Sequence, residues 1–223
     1  MREIPGIPYT FKDPELLALA LSHRSVGQIN NERLEFLGDS VLNFVVSASL
    51  YDLKSDNDEG DLSRLRARVV RGVTLTKLAT MLKLGDYVKL GGGELKSGGF
   101  KRDSILADTL EAIFGAIYLD GGFEYCAKVI RHICDPVIAE LPDAGELKDP
   151  KTRLQEWLQG RGHALPEYSL LTETGPPHKK HFVVQCHQEA AGLKVTGKGG
   201  SRQKAEQSAA AAALDFVAEK PGK

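Results

Sequence analysis

The sequence predicts two folds in one chain, an all-α domain over residues 1–141 and a small α-β-β-β-α domain over residues 149–223. Three observations carry this. Apolar residues recur at three- and four-residue spacing through the first 141 positions, with few β-branched alternations between them. From Tyr168 the apolar period changes to two. Between the two patterns lies the stretch 141–147, LPDAGEL, whose proline and glycine break periodicity and predict a linker over 142–148.

The elements follow in order. Helices are predicted over 13–22, 32–53, 61–70, 74–82, 103–119 and 124–141. Pro14 falls inside a first turn, Asp103 stands where an N-cap belongs, and Gly121 with Gly122 closes the helix that begins there. In the second part, 150–160 is helical, the stretches 168–173, 181–189 and 193–198 alternate as strands, and 202–218 is an alanine-rich helix. Gly175, Pro176 and Pro177 turn the chain before the second strand, and Ala191 with Gly192 before the third.

Composition narrows the function classes. With 223 residues, 42% of them hydrophobic and 26% charged, the chain has material for a packed core, which excludes disorder along its whole length. No apolar run reaches the roughly 18 residues of a membrane helix, and residues 1–13 lack the apolar stretch of a secretory signal. A cytoplasmic location with no membrane partner is expected. Cys126, Cys134 and Cys186 are odd in number and lack Cys-x-x-Cys spacing, so buried apolar roles are expected rather than disulfides or zinc. His181, Cys186 and His187 lie in an alternating stretch without the second half of a metal site, and read as strand residues. The net charge of −1 hides an asymmetry: 149–223 holds 11 basic and 8 acidic residues, against 18 and 22 in the remainder. An acidic part joined to a basic one is compatible with a metal-using half and a polyanion-binding half.

The carboxylates are the most informative residues. In 31–42, NERLEFLGDSVL, a helix places Leu34, Leu37 and Val41 on one stripe, continued by Val45 and Ala48. Glu32, Glu35 and Asp39 then form a second stripe about 100° round the axis. In 103–119, Leu106, Leu110, Ile113 and Ile117 face inward while Asp108 and Glu111 sit one position further round. Either helix alone reads most simply as a solvated acidic face. Against that, Gly38 and Ser40 on one helix and Ala112, Gly115 and Ala116 on the other permit close approach. If the acidic edges face each other, unit charges about 4 Å apart at an effective dielectric of about 20 repel by roughly 4 kcal/mol per pair. Such a cluster calls for a cation. All-oxygen ligands select a hard metal, and magnesium, which keeps waters and accepts phosphate oxygens, suits a phosphodiester hydrolase better than a calcium cage does. Glu59 and Asp61 can join the cluster or serve only as acids favoured at a helix N-terminus.

These residues resemble the signature of bacterial ribonuclease III. The match continues through 58–63 (DEGDLS), 93–99 (GELKSGG) and 104–108 (SILAD) to Glu111. By that resemblance Glu35, Asp39, Asp108 and Glu111 fall on the family's metal-binding positions, with Asp39 and Glu111 most directly catalytic. Glu32 and Glu59 fall on additional acids lining the cleft, and none of the six is substituted. The resemblance implies an endonuclease domain that hydrolyses double-stranded RNA with metal-activated water, leaving 5′-phosphate and 3′-hydroxyl ends. Mg2+ is the implied cofactor, with Mn2+ as substitute, and structured precursors such as ribosomal RNA are the implied substrates. Phe36, a core residue on its own pattern, is implied to insert into a partner subunit of a homodimer with one active site per RNA strand.

The second part resembles the double-stranded-RNA-binding domain, through 149–156 (DPKTRLQE), 175–178 (GPPH) and 201–207 (SRQKAEQ). Thr152, Gln155 and Glu156 are implied to read 2′-hydroxyls in a minor groove, with His178 in the next minor groove. Arg202 and Lys204, at a helix N-terminus, are implied to hold phosphates between them. Trp157 is expected to pack within the small domain. The stretch 91–97, GGGELKS, lacks the glycine directly before lysine and the preceding strand of a P-loop, so no nucleotide cofactor is expected. It reads as a mobile connector, with Lys96, Lys101 and Arg102 near RNA backbone. Two other classes compete: a regulator that grips duplexes without cutting, against which the six retained acids speak, and a helical domain whose carboxylates are purely structural.

Overall fold

A computed structural model describes residues 1–176 and 178–218. The turn role of Pro177 and the last five residues of the 149–223 domain lie outside the described residues. The chain divides into two compact units, Met1–Ala144 and Gly145–Lys223.

The first unit is helical throughout. Helix α1 (Pro14–Ala20) starts on Asp13, whose carboxylate caps the Glu15 N–H at 2.9 Å. A 3-10 turn (Arg24–Val26) leads to α2 (Glu32–Leu53), and α3 (Glu59–Val70) opens two residues earlier than its apolar pattern, because Asp58 caps the Asp61 N–H at 2.7 Å. Then come α4 (Gly72–Met81), the short α5 (Gly92–Lys96), α6 (Asp103–Gly121) and α7 (Phe123–Ala139). Asp103 is the first helical residue of α6 rather than its cap, which is Arg102. The glycine-rich stretch at 91–97 is not an open connector, since it closes one helical turn.

Helix α6 overturns the expectation of an amphipathic helix with an acidic edge. From Ile105 to Ile117 every residue is buried except Asp108 and Glu111. A helix that is apolar all round is a core helix, so its two carboxylates interrupt a buried surface rather than border a solvated one. It lies directly on α2. A Cβ built on Gly38 would stand 1.8 Å from the Glu111 carbonyl oxygen, and one on Gly115 would stand 2.2 Å from that of Leu34. The two backbones touch through reciprocal glycines, and that contact brings the acidic residues of separate segments together.

The short helix α8 (Ala144–Leu147) occupies the stretch whose composition predicts an open linker. The second unit then folds as α9 (Pro150–Gln159), β1 (Glu167–Thr174), β2 (His181–Gln188), β3 (Leu193–Gly199) and α10 (Arg202–Ala218). The three strands form an antiparallel sheet in sequence order, with a register shift between Leu170 and Thr172. Leu154 and Leu158 of α9, Cys186, Leu193, and Ala209, Ala210 and Ala213 of α10 make the core, with Trp157 half-buried against it. The alanine run has a packing reason beyond helix propensity. A Cβ on Gly197 would stand 2.0 Å from the Ala209 nitrogen, so α10 rests on the backbone of β3. All three cysteines are buried and free. Among the described residues, no helix is long and apolar enough to cross a membrane.

Candidate functional site

Glu35 and Asp108 line a cleft of about 410 Å³ in the first unit, and Glu111 joins them at its edge. Glu35 comes from the first turn of α2, and Asp108 and Glu111 from the first half of α6. One carboxylate oxygen from each of these three lies within 4.8 Å of the others. Among the described residues, no other cluster of three or more carboxylate, imidazole or thiol groups comes as close together.

The same cleft is also lined by positive charge. His23, Arg24 and Ser25 line the cleft from the 3-10 turn, and Glu94 and Arg102 from the segment before α6. Two distant segments are pinned to make this lining: His23 N–H donates to the Lys89 carbonyl at 3.1 Å and Gly91 N–H to Ser25 Oγ at 2.9 Å. Arg102 pairs with Glu94 at 2.6 Å, and Arg24 approaches Glu32 at 3.8 Å. Arg102 was expected near RNA backbone, whereas His23, Arg24 and Glu94 had no expected site role. No local pattern marks those three, because this lining exists only once residues 22–25 meet 89–91.

The electrostatics follow from this layout. Burial and the charges of Asp39, Asp108 and Glu35 push the Glu111 carboxyl up from 4.5 to about 8. Burial also raises Asp108, against the pull of His23 and Arg24. Glu35 is raised by burial and by Asp108 and Glu32, with Arg24 opposing. At neutral pH the metal-free cluster therefore retains a proton on Glu111, and a bound cation displaces it. The donor set fits a hard divalent ion. Three carboxylates close together offer the all-oxygen ligands such an ion takes.

The other expected acids stand apart. Asp39 is exposed outside the trio, its Oδ1 accepting from Asn43 Nδ2 at 2.8 Å, although its charge still acts on Glu111. Glu32 lines the cleft. Glu59 is exposed at the start of α3 and accepts from Ser63 Oγ at 3.0 Å; the structure does not bring it to the trio. Phe36 is no core residue, being 77% exposed on α2. On the same unit, Leu16, Leu19, Ile29, Leu34, Leu37 and Leu119 line a hollow that polar residues, Glu32 and Arg33 among them, also border.

In the second unit, Gln155, His178 and Lys204 are exposed. Thr152 uses its hydroxyl to donate to Asp149 Oδ2 at 2.7 Å, and Glu156 pairs with Lys148 at 2.8 Å. Arg202 pairs through Nε with Glu206 at 3.0 Å. At the N-terminus of α10, Lys204 N–H donates to Ser201 Oγ at 3.2 Å.

Known proteins share both units. A family model described as Ribonuclease-III-like matches residues 13–137, and one described as Double-stranded RNA binding motif matches 150–216. The chain is 55% identical over 206 residues to Ribonuclease 3 of Dechloromonas aromatica, spanning 92% of this chain and 93% of that one. It is 54% identical over 218 residues to Ribonuclease 3 of a Marinomonas species, spanning 96% and 94%. Among solved structures, the nuclease domain of ribonuclease III from Campylobacter jejuni, described for flexibility in a region involved in dimer formation, superposes with a TM-score of 0.57. That match is 44% identical and covers 58% of this chain and 92% of that one. Dicer from Pichia stipitis superposes with a TM-score of 0.50 at 26% identity, covering 96% and 98%.

Proposed function

The chain belongs to the ribonuclease III family and is a double-stranded-RNA endoribonuclease; from that premise we propose that it works with magnesium, as a homodimer cutting both strands of a duplex. The observation that carries the metal reading is the pair Asp108 and Glu111, set in an otherwise buried helix beside Glu35, with Glu111 held to about pH 8 as an acid.

Glu35, Asp108 and Glu111 would hold the ion. Magnesium, for which manganese substitutes, supplies charge to neutralise a phosphodiester and lowers the pKa of water. Asp39, exposed and hydrogen-bonded by Asn43, would accept the proton of the attacking water. The water oxygen bonds to phosphorus, the bond to the 3′ oxygen breaks, and that oxygen takes a proton, leaving 5′-phosphate and 3′-hydroxyl ends. Arg24 and Arg102 supply positive charge beside the acids, where the backbone of the strand must run. Glu32, which lines the cleft, is proposed as a further acid of it, and Glu59, which stands apart on α3, as an acid of the wider cleavage valley.

Thr152, Gln155 and Glu156 on α9, His178 in the β1–β2 turn, and Arg202 with Lys204 at the start of α10 are proposed to grip the duplex by shape. In the dimer, Phe36 of one copy would fill the hollow beside Leu37 and Leu119 on the other, a self-complementary contact of the kind two-fold symmetry requires. Structured precursors, ribosomal RNA among them, are the proposed substrates, met in the cytoplasm.

A labelled RNA duplex tests this. Cleavage is expected with magnesium and none with a chelator, and Glu111→Gln is expected to cut at least 100-fold more slowly while binding as before. An intact duplex in magnesium, with affinity unchanged in Glu111→Gln, would instead identify a binding protein.

A further inference from the structure

Glu206 is a carboxylate in the middle of a surface meant for a polyanion. It lies in the second turn of α10, and its side chain is only 15% exposed. Its Oε2 accepts from Lys151 Nζ on α9 at 2.7 Å, and its Oε1 accepts from Arg202 Nε at 3.0 Å. The neighbouring Gln207 repeats the link: its Oε1 accepts from the Lys151 backbone N–H at 3.1 Å and its Nε2 donates to Asp149 Oδ1 at 2.7 Å. The N-terminal ends of α9 and α10, more than 50 residues apart in sequence, are thus tied by three hydrogen bonds, and the Arg202 bond adds a fourth within α10.

Charge alone gives no reason for an acid here, since it opposes phosphate binding by the cations beside it. Geometry does. Engaging Arg202 at Nε fixes the plane of the guanidinium and leaves the N–H donors of its two terminal nitrogens, one from each of which can make a forked contact with a phosphate. The Lys151 bond, with Lys151 Nζ also 4.6 Å from the centre of the Tyr168 ring, holds α9 at a set distance from that guanidinium. Hydrogen bonds from Lys151 and Arg202 hold the Glu206 carboxyl below its ordinary range, so the tether is charged at neutral pH.

We propose that Glu206 is a positioning residue for duplex recognition. It locks Arg202 toward phosphate and fixes the separation between the α9 face and the α10 N-terminus to that of successive grooves of A-form RNA. This rests on the reading of α9 and α10 as the RNA grip. Rigid spacing of the two contacts favours A-form RNA over B-form DNA, whose major groove is wider and minor groove narrower.

The test is binding of the full chain to an RNA duplex of about 20 base pairs, by fluorescence anisotropy without divalent ions and across a salt series. Glu206→Gln is expected to weaken binding 5- to 10-fold even though it removes a negative charge. It is also expected to lower the slope of log affinity against log salt by about one, as when one phosphate contact is lost. Its preference for RNA over DNA of the same sequence narrows. Arg202→Gln, costly in the wild type, costs little more in the Glu206→Gln background, a coupling that a purely structural role does not produce. Glu206→Asp, which keeps the charge but is one methylene too short to serve both partners, weakens binding likewise and covers the case in which the amide variant misfolds. Binding by Glu206→Gln as tight as or tighter than wild type, or an additive Arg202→Gln penalty, overturns the proposal. An Arg202→Gln variant with unchanged affinity and salt slope sinks the reading of the grip itself.

Discussion

Glu111 has the most to gain from a cation, and its consequence for stability has a definite sign. Its folded value, about 8, lies above the 4.5 of the unfolded chain, and Glu35 and Asp108 are raised in the same sense. The stability these groups give is therefore fully present below about pH 4.5 and is lost as pH rises through their folded values. Metal-free protein is expected to melt progressively lower between roughly pH 5 and pH 8, with magnesium restoring more stability the higher the pH. Glu111→Gln, which removes both the buried charge and its repulsion, should flatten that profile; scanning calorimetry at four pH values with and without chelator decides it, and a profile as steep as wild type contradicts the assigned cause. Glu35, Asp108 and Glu111 were marked in the sequence by their spacing and by the resemblance together, whereas Asp39 and Glu59, marked in the same way, lie outside the trio. The partners of the trio were not marked. His23, Arg24 and Glu94 reach the cleft only through hydrogen bonds to residues 89–91 and through an ion pair to Arg102, contacts with no periodic signature.

Among the elements, the α2–α6 contact decides whether there is a site at all. With the Glu111 carbonyl 1.8 Å from where a Gly38 Cβ would sit, Gly38→Ala must push the two helices apart. A loss of about 3 kcal/mol or more is expected, with weaker metal uptake as Glu35 is drawn from Glu111. Chemical denaturation and a metal titration measure both, and a variant as stable as wild type contradicts the close approach. The glycines could be flagged in the sequence as small residues near the acids. Their reciprocal placement could not, because it depends on how two helices separated by fifty residues cross. The helix 103–119 reads as amphipathic from its strongest stripe, yet Ala107, Ala112 and Ala116 are small enough to be covered on the faces that stripe leaves out. Periodicity in the second unit fared better in placing the strands, and β2 has the one buried face that alternation implies, Cys186 and Val184 facing inward while His181 and His187 face out; β1 does not, since Leu170 and Leu171 are exposed and only Tyr168 is half-buried.

For the whole molecule, the proposed dimer rests on an aromatic that the core does not claim. Phe36 is 77% exposed, and Phe44, Tyr51 and Leu53 of the same helix are exposed as well. A monomer rarely leaves so much apolar surface along one helix without use. Phe36→Asp is expected to shift the protein from dimer to monomer in light scattering and to depress cleavage by at least tenfold, while each unit stays folded. An unchanged mass would place the dimer contact elsewhere. The division into two units was visible in the change of apolar period and in the charge asymmetry. The helical turn of α8 was not, because four residues carry too little pattern to outweigh a proline and a glycine.

The most direct measurement is calorimetric titration of the metal-free protein with magnesium at pH 7 in buffers of different ionisation enthalpy. Saturable uptake is expected, accompanied by release of up to about one proton that disappears near pH 9 and in Glu111→Gln. Uptake without proton release, or no saturable uptake at all, would contradict a cluster in which a divalent ion displaces the proton held by Glu111.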